Sequence, residues 1–323
     1  MSQPVTLKDV YKARIVVSRY LPRTPLVRSQ TLSKRLGFEA YVKCENLQPI
    51  GVFKVRGGIY LVSRLSEDER SRGVITASTG NHGQSIAYAA SLFGVKAIIG
   101  VPEGSNPNKV EAIKNLGASV EFHGSDFDEA RLWVENEAKR KGYRYIHSAN
   151  EPLLIAGVGT LYLEIMEDLP DVEAILTPIG GGSGAAAACI VAKSINPEVK
   201  VIGVQAEKAP AVYLSWKNKK FIETKSAETF ADGLATRVPF KLTLGIINRL
   251  IDDIVLVSEE EMKKAILTLL ETTHQLAEGA GAASTAAAFK LREKLQEKKV
   301  ALVLTGGNIT FKTLQNIFKE QTV

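Results

Sequence analysis

The sequence predicts an α/β protein built from two open, mainly parallel sheets covered by helices. Three observations predict it. From Gly73 the chain repeats strand, loop and helix as far as His147. After Asn150 a second series of the same kind runs to Leu304. The connections are short, which suits parallel strands joined by crossover helices.

The elements follow in chain order. Val10, Ala13, Val16 and Val17 recur at helical spacing behind Thr6, a candidate cap. Leu21-Pro22-Arg23-Thr24-Pro25 is a break. Residues 31–36 read as a short helix and 38–43 as a strand. Residues 45–58 carry a turn at Pro49 and Gly51 and one lysine, Lys54, between Phe53 and Val55. A helix over 59–65 and a charged connection over 66–72 come next. The first series then gives strands at 73–77, 95–101, 119–123 and 143–147, with helices at 85–93, 108–116 and 127–141. The second series opens with a helix over 156–167. Its strands fall at 174–178, 199–204, 253–257 and 300–304. Helices are expected at 185–195, near 210–216, from the capping-box pattern Ser258-Glu259-Glu260-Glu261 to about 273, and over 281–295. Residues 206–240 read as mostly irregular. The chain ends soon after the last strand, so no third domain is expected.

Composition narrows the function. Lys plus Arg exceeds Asp plus Glu by +6, yet the basic residues are scattered, which argues against a nucleic-acid footprint. No apolar run approaches the ~20 residues that span a membrane, and the N-terminus lacks a signal-peptide core. Cys44 and Cys189 share no metal or disulfide spacing. A cytoplasmic protein with a small-molecule substrate is expected, with no nucleic acid, membrane or metal.

Four loops follow strands: the lysine turn, Ser78-Thr79-Gly80-Asn81-His82-Gly83-Gln84, Gly180-Gly181-Gly182-Ser183-Gly184 and Thr305-Gly306-Gly307-Asn308. Ligands of open parallel sheets bind beyond the carboxyl ends of the strands, so these loops are expected to share a cleft. The glycine loop lets main-chain N–H groups approach an anion at a helix N-terminus. It fits neither G-x-G-x-x-G nor the Walker pattern, so a phosphate monoester suits it better than a nucleotide. The hydroxyls, amide and N–H groups of the Ser78 loop suit a carboxylate. A lysine with apolar neighbours can lose hydration, as a Schiff-base lysine requires. Together these point to a pyridoxal phosphate enzyme acting on an amino acid.

In these segments the chain resembles the fold-type II pyridoxal phosphate enzymes, in the threonine/serine dehydratase and serine racemase branch, a tryptophan synthase β-like fold. The resemblance covers nearly the whole chain. It implies a large cofactor-binding domain of residues 1–68 and 150–323 and a small substrate-loop domain of 69–149, with the cofactor in the cleft between them. It implies a Schiff base at Lys54, with Phe53 against the ring. Asn81 would bond the phenolate oxygen, and Thr305 the pyridine nitrogen. Gly180, Gly181, Gly182, Ser183 and Gly184 would cradle the phosphate. Ser78, Thr79, Gly80, Asn81 and His82 would hold the substrate carboxylate, and Asp232 and Gly233 would line the substrate side. Glu278 is a further candidate near the pyridine. Gly157 and Gly159 either permit close helix approach or border the ring.

The implied activity is elimination of water from L-threonine or L-serine, by a homodimer. Related alternatives are serine racemase and 3-hydroxyaspartate dehydratase. An alternative of another class is a non-catalytic amino-acid sensor, against which Lys54 argues. Four departures stand out. Thr79 replaces the acid/base serine of racemising relatives, which disfavours racemisation. Gln205 and Ala211 stand where cation-binding relatives have carboxylates, and Glu207 is not at a matching position. Ser183 stands where a fourth glycine is usual. Val52 is unusual before Phe53, where relatives carry a small or hydroxyl residue.

Overall fold

The computed structural model describes residues 5–78 and 80–320. In order, the elements are α1 (Leu7–Val17), β1 (Leu26–Arg28), α2 (Gln30–Leu36), β2 (Glu39–Cys44), α3 (Lys54–Ser63), α4 (Glu67–Arg72), β3 (Val74–Ala77), α5 (Asn81–Leu92), β4 (Ala97–Val101), α6 (Pro107–Asn115), β5 (Ser119–Phe122), α7 (Phe127–Lys141) and β6 (Arg144–Tyr145). Then come α8 (Pro152–Asp168), β7 (Ala174–Pro178), α9 (Ser183–Ile195), β8 (Lys200–Ala206), α10 (Ala211–Asn218), α11 (Lys241–Leu250), β9 (Asp253–Val257), α12 (Glu259–Thr273), α13 (Gly279–Lys290), β10 (Lys299–Leu304) and α14 (Phe311–Glu320). The described residues form two compact units. One takes the segment up to Pro22 together with Lys54–Thr160; the other takes Arg23–Phe53 and the segment from Leu161.

In the first unit a four-stranded sheet runs β5-β4-β3-β6, all parallel. Ile75, Ala77 and Ile98 pack on Val134 and Ala138 of α7. That helix starts where the Asp126 carboxylate accepts from Glu129 N at 2.9 Å, and it ends at Gly142 in the left-handed region. The sheet lies inside residues 69–149, and the unit adds α1, α3 and the first half of α8. Gly157 and Gly159 let these helices meet. A Cβ on the first would stand 2.6 Å from the Arg56 carbonyl oxygen, and one on the second 2.6 Å from Val10 Cγ2.

In the second unit a six-stranded sheet runs β1-β2-β10-β7-β8-β9. Only the edge strand β1 is antiparallel. Neighbouring residues of β9 join different apolar clusters. Val255 packs with Leu32, Leu36, Met262 and Leu269 of α2 and α12, while Ile254 packs with Ala185, Val212, Leu244 and Ile247 of α9, α10 and α11. Successive strand residues point to opposite faces, so helices cover both.

Two mainly parallel α/β sheets are as the sequence predicts; several boundaries differ. Helix α3 begins at Lys54 rather than near 59, because Val55 to Gly58 are buried and helical instead of forming a turn. Helix α5 begins at Asn81 and takes in half of the expected loop. Residues 66–72 are not a plain connection. Ser66 Oγ accepts from Glu69 N at 3.2 Å and Glu69 accepts from Ser66 N at 2.9 Å, so a capping box starts α4. Helices α11 and α14 and strand β1 were not expected. Gly245 and Asn248 interrupt the helical pattern of α11, and β1 has only three residues. Among the described residues no helix is long and apolar enough to cross a membrane.

Candidate active site

In the second unit the ends of three adjacent strands bring the candidate site segments together. From β7 the chain moves outward through β8 to β9, then returns to β10 on the other side of β7. The gap between β7 and β10 is therefore the topological switch point, where open parallel sheets bind ligands. The segments leaving β2, β10 and β7 there are residues 45–53, 305–308 and 179–182.

The glycine loop joins β7 to α9. Ile179 N donates to the Val204 carbonyl at 2.7 Å, which ties the loop's entry to β8. Thr243 Oγ1 donates to the Gly181 carbonyl at 2.8 Å. Gly182 has φ 88° at the N-cap of α9, a conformation that favours glycine. A Cβ on Gly180 would stand 2.0 Å from the Gly233 carbonyl oxygen. A Cβ on Gly184 would meet Tyr162 Oη at 3.3 Å and Phe53 Cε2 at 3.7 Å. The loop thus brings Gly233 and the Phe53 ring to the start of α9. Unpaired first-turn N–H groups and the helix dipole make that place attractive to an anion.

Thr305 is buried at the end of β10, and its carbonyl accepts from Phe53 N at 3.0 Å. Val52 and Gly306 form an antiparallel bridge, and Gly307 N donates to the Gly51 carbonyl at 2.9 Å. Asn308 Nδ2 donates to the Ile50 carbonyl at 3.1 Å. Residues 50–53 are therefore zipped to 305–308. The structure explains Val52: it is 1% exposed, and its Cγ2 would stand 3.0 Å from a Cβ on Gly306. The bare glycine makes room for the valine. Glu278 Oε1 would be 2.8 Å from the same Cβ, so this candidate lies beside Gly306. Asp232 and Gly233 sit in an exposed 3-10 turn.

Beneath the lysine turn lies a buried ionic network that sequence reasoning missed. Lys43 is fully buried, 2.6 Å from Glu164 Oε2, and donates to the Thr24 carbonyl at 2.7 Å. The Thr24 hydroxyl donates to fully buried Glu45 at 2.5 Å, and Gln48 Nε2 reaches the other Glu45 oxygen at 3.4 Å. The available signal was two charges, Lys43 and Glu45, flanking Cys44 at the end of an apolar strand.

Phe53 is the last residue of this unit, and the peptide bond after it leads to Lys54. In the first unit Lys54 opens α3, half-buried, and its carbonyl accepts from Ser85 Oγ at 2.7 Å. Ser78 is buried and its hydroxyl accepts from Gly80 N at 3.2 Å. Thr79 lies outside the described residues. Asn81 opens α5. His82 is buried with Nε2 3.0 Å from Thr76 Oγ1. That hydroxyl already donates to the Ile146 carbonyl at 2.7 Å, so it accepts from His82. The proton is therefore on Nε2, and Nδ1 carries the lone pair. Burial, then the charges of Lys54 and His147, push the His82 pKa down to about 3. The ring is neutral, and only its main-chain N–H remains to serve a carboxylate. The other histidines have structural roles. His123 stacks on Trp133, His147 Nδ1 accepts from Ala149 N and Asn150 N, and His274 closes α12 in the left-handed region.

An anion cradle at the switch point of a parallel sheet, with an aromatic ring and a buried threonine at its side, defines an α/β enzyme that holds a phosphorylated cofactor. The chain belongs to the pyridoxal-phosphate dependent enzyme family, which matches residues 17–306. It is 42% identical over 319 residues to the L-threonine ammonia-lyase of Thermotoga maritima, covering 99% of this chain and 79% of that protein. Threonine deaminase isoform 2 from Solanum lycopersicum superposes with a TM-score of 0.92 at 30% identity, covering 99% of this chain and 96% of that one. Maize serine racemase superposes with a TM-score of 0.93 at 28% identity, covering 99% of both chains. The cradle fits the cofactor: Gly182 is in the left-handed region at the N-cap of α9 and Gly180 has no room for a Cβ, so the loop brings bare main chain to the helix N-terminus, as a phosphate on main-chain N–H groups requires.

Proposed function

We propose that the chain is a pyridoxal phosphate-dependent ammonia-lyase that removes water from L-threonine or L-serine; the released enamine takes up water to give 2-oxobutanoate or pyruvate and ammonia. The observation that carries this is the glycine cradle beside Thr305 at the switch point, in a chain similar to a threonine ammonia-lyase over 99% of its length. When bound, the cofactor supplies the electron sink that lets an amino acid lose its α-proton and then its β-hydroxyl.

The chain's own groups divide the remaining work. Lys54 would hold the cofactor through its side-chain amine, and the same Nζ would take the α-proton of the substrate. Gly180, Gly181, Gly182, Ser183 and Gly184 hold the phosphate. Phe53 would pack on the ring and Asn81 would hold its phenolate oxygen. The Thr305 hydroxyl would serve the pyridine nitrogen, a neutral partner that would favour elimination over transamination. Ser78, Thr79, Gly80, Asn81 and the His82 main chain hold the substrate carboxylate. Thr79 would serve as acid or base, and Asp232 and Gly233 would line the substrate side. Residues 69–149 serve as the substrate-loop domain and 1–68 with 150–323 as the cofactor domain of a cytoplasmic homodimer.

The test is keto-acid release over a panel of β-hydroxy amino acids, with chiral analysis of the unreacted substrate. Wild type should release keto acid and show the visible Schiff-base band; Lys54→Ala should show neither. Inverted substrate appearing faster than keto acid would overturn the lyase assignment.

A further inference from the structure

Gln205 is fully buried at the end of β8, and its two amide atoms differ in their surroundings. Oε1 accepts from Tyr213 N in the first turn of α10 at 2.9 Å. Nε2 is buried and has no hydrogen-bond partner among the described residues. A buried donor left unsatisfied is costly, so an acceptor is called for at this place.

The position of Gln205 says which acceptor. Its neighbour Val204 accepts from Ile179 N, the residue that enters the glycine loop. Strand alternation puts Gln205 on the same face as Gly203, whose missing Cβ would touch Ile179 Cδ1. Ile179 and Ala185 bracket the loop and share an apolar cluster with Val212 of α10 and Leu244 of α11. Gln205 stands one residue beyond the β7–β8 pair Pro178–Val204, level with the entry of the loop that leads into α9, and a helix N-terminus favours negative charge.

We propose that Gln205 is a positioning residue for the phosphate group, its Nε2 donating to a phosphate oxygen directly or through one bound water. This rests on the pyridoxal phosphate reading above. An N–H donor aimed at this place also repels a cation, so phosphate binding in wild type is independent of divalent ions.

Gln205→Glu separates the roles of the two amide atoms. Its carboxylate keeps an acceptor for Tyr213 N and removes the donor. Apoprotein is titrated with pyridoxal phosphate, following the visible band, in EDTA and then in magnesium; the 31P resonance of the bound phosphate is recorded alongside. The variant should bind about tenfold more weakly in EDTA, recover when magnesium bridges the new carboxylate to the phosphate, and shift the 31P signal. Wild type should be indifferent to magnesium. Gln205→Met, which lacks both amide atoms, should bind weakly with or without magnesium. Equal affinity of wild type and Gln205→Glu, with an unmoved 31P signal, would overturn the proposal. A merely structural role would lower apoprotein stability and leave both readouts unchanged. Should wild type itself form no visible band, the cofactor reading fails instead.

Discussion

Acidification should destabilise the chain through His82 in a calculable way. The imidazole is held neutral with a pKa pushed down to about 3, against 6.5 for an unperturbed ring. Below about pH 6.5 the unfolded chain takes up a proton that the folded chain refuses, so stability falls as pH falls. The loss starts near 6.5 and continues until about 3, where the folded ring also protonates. At pH 5 roughly 1.5 units of the shift are felt, which is about 2 kcal/mol at 1.36 kcal/mol per unit. Urea unfolding at pH 7 and pH 5 measures it, with His82→Gln as the reference. Glutamine keeps an N–H for Thr76 Oγ1 and has no titrating group. The carboxylates and His147, whose pKa burial also lowers, are common to both proteins and cancel in the difference. Wild type should lose about 2 kcal/mol more than the variant between the two pH values. Coincident pH slopes would refute a buried, neutral His82. The same shift means that His82 does not set any inflection in activity near neutral pH.

Two further outcomes follow from the geometry. Gly180→Ala would drive its Cβ to 2.0 Å from the Gly233 carbonyl, so one backbone must move. Apoprotein titration with pyridoxal phosphate should then show affinity down about tenfold or more, the equivalent of 1.4 kcal/mol, and unchanged affinity would count against the cradle. Lys43→Met removes a fully buried ammonium from part-buried Glu164 and from the Thr24 carbonyl, and should cost about 3 kcal/mol in urea unfolding. Adding Glu164→Leu should recover much of it, and failure to do so would show that the pair is not the unit that matters.

The sheets were legible because their strands are short apolar runs bounded by turn residues, such as Val74-Ile75-Thr76-Ala77 between Gly73 and Ser78. The glycine loop was legible because five small residues between a strand and a helix have few other uses. What escaped depends on partners distant in sequence. Lys43 and Glu45 carry no local sign of burial in the sequence, and their partners include Thr24 and Glu164, far along the chain. The charged stretch 66–72 read as a connection because its helix buries none of its own residues and is held by its cap. The Nε2 proton of His82 follows from Thr76 having spent its own proton on Ile146, which no local pattern announces.

The lysine turn shows how distant partners fix a functional residue. Loops usually carry the freedom that packed elements lose, and a reactive lysine on a free loop would forfeit orientation. Here residues 50–53 behave like a short extra strand, paired with 305–308 by main-chain hydrogen bonds and by the Val52–Gly306 bridge. The turn before them is anchored through Glu45 and Gln48 to the network around Lys43. Phe53 is thereby set by contacts on both sides, and the Lys54 Cα follows one trans peptide later, about 3.8 Å along the chain. Helix α3 then begins at Lys54 itself, which removes the remaining backbone freedom. Val52 and Gly306 form one device: the valine gains packing over the bridge because the residue opposite has no side chain, and the bridge holds the threonine carbonyl to the phenylalanine that precedes the lysine.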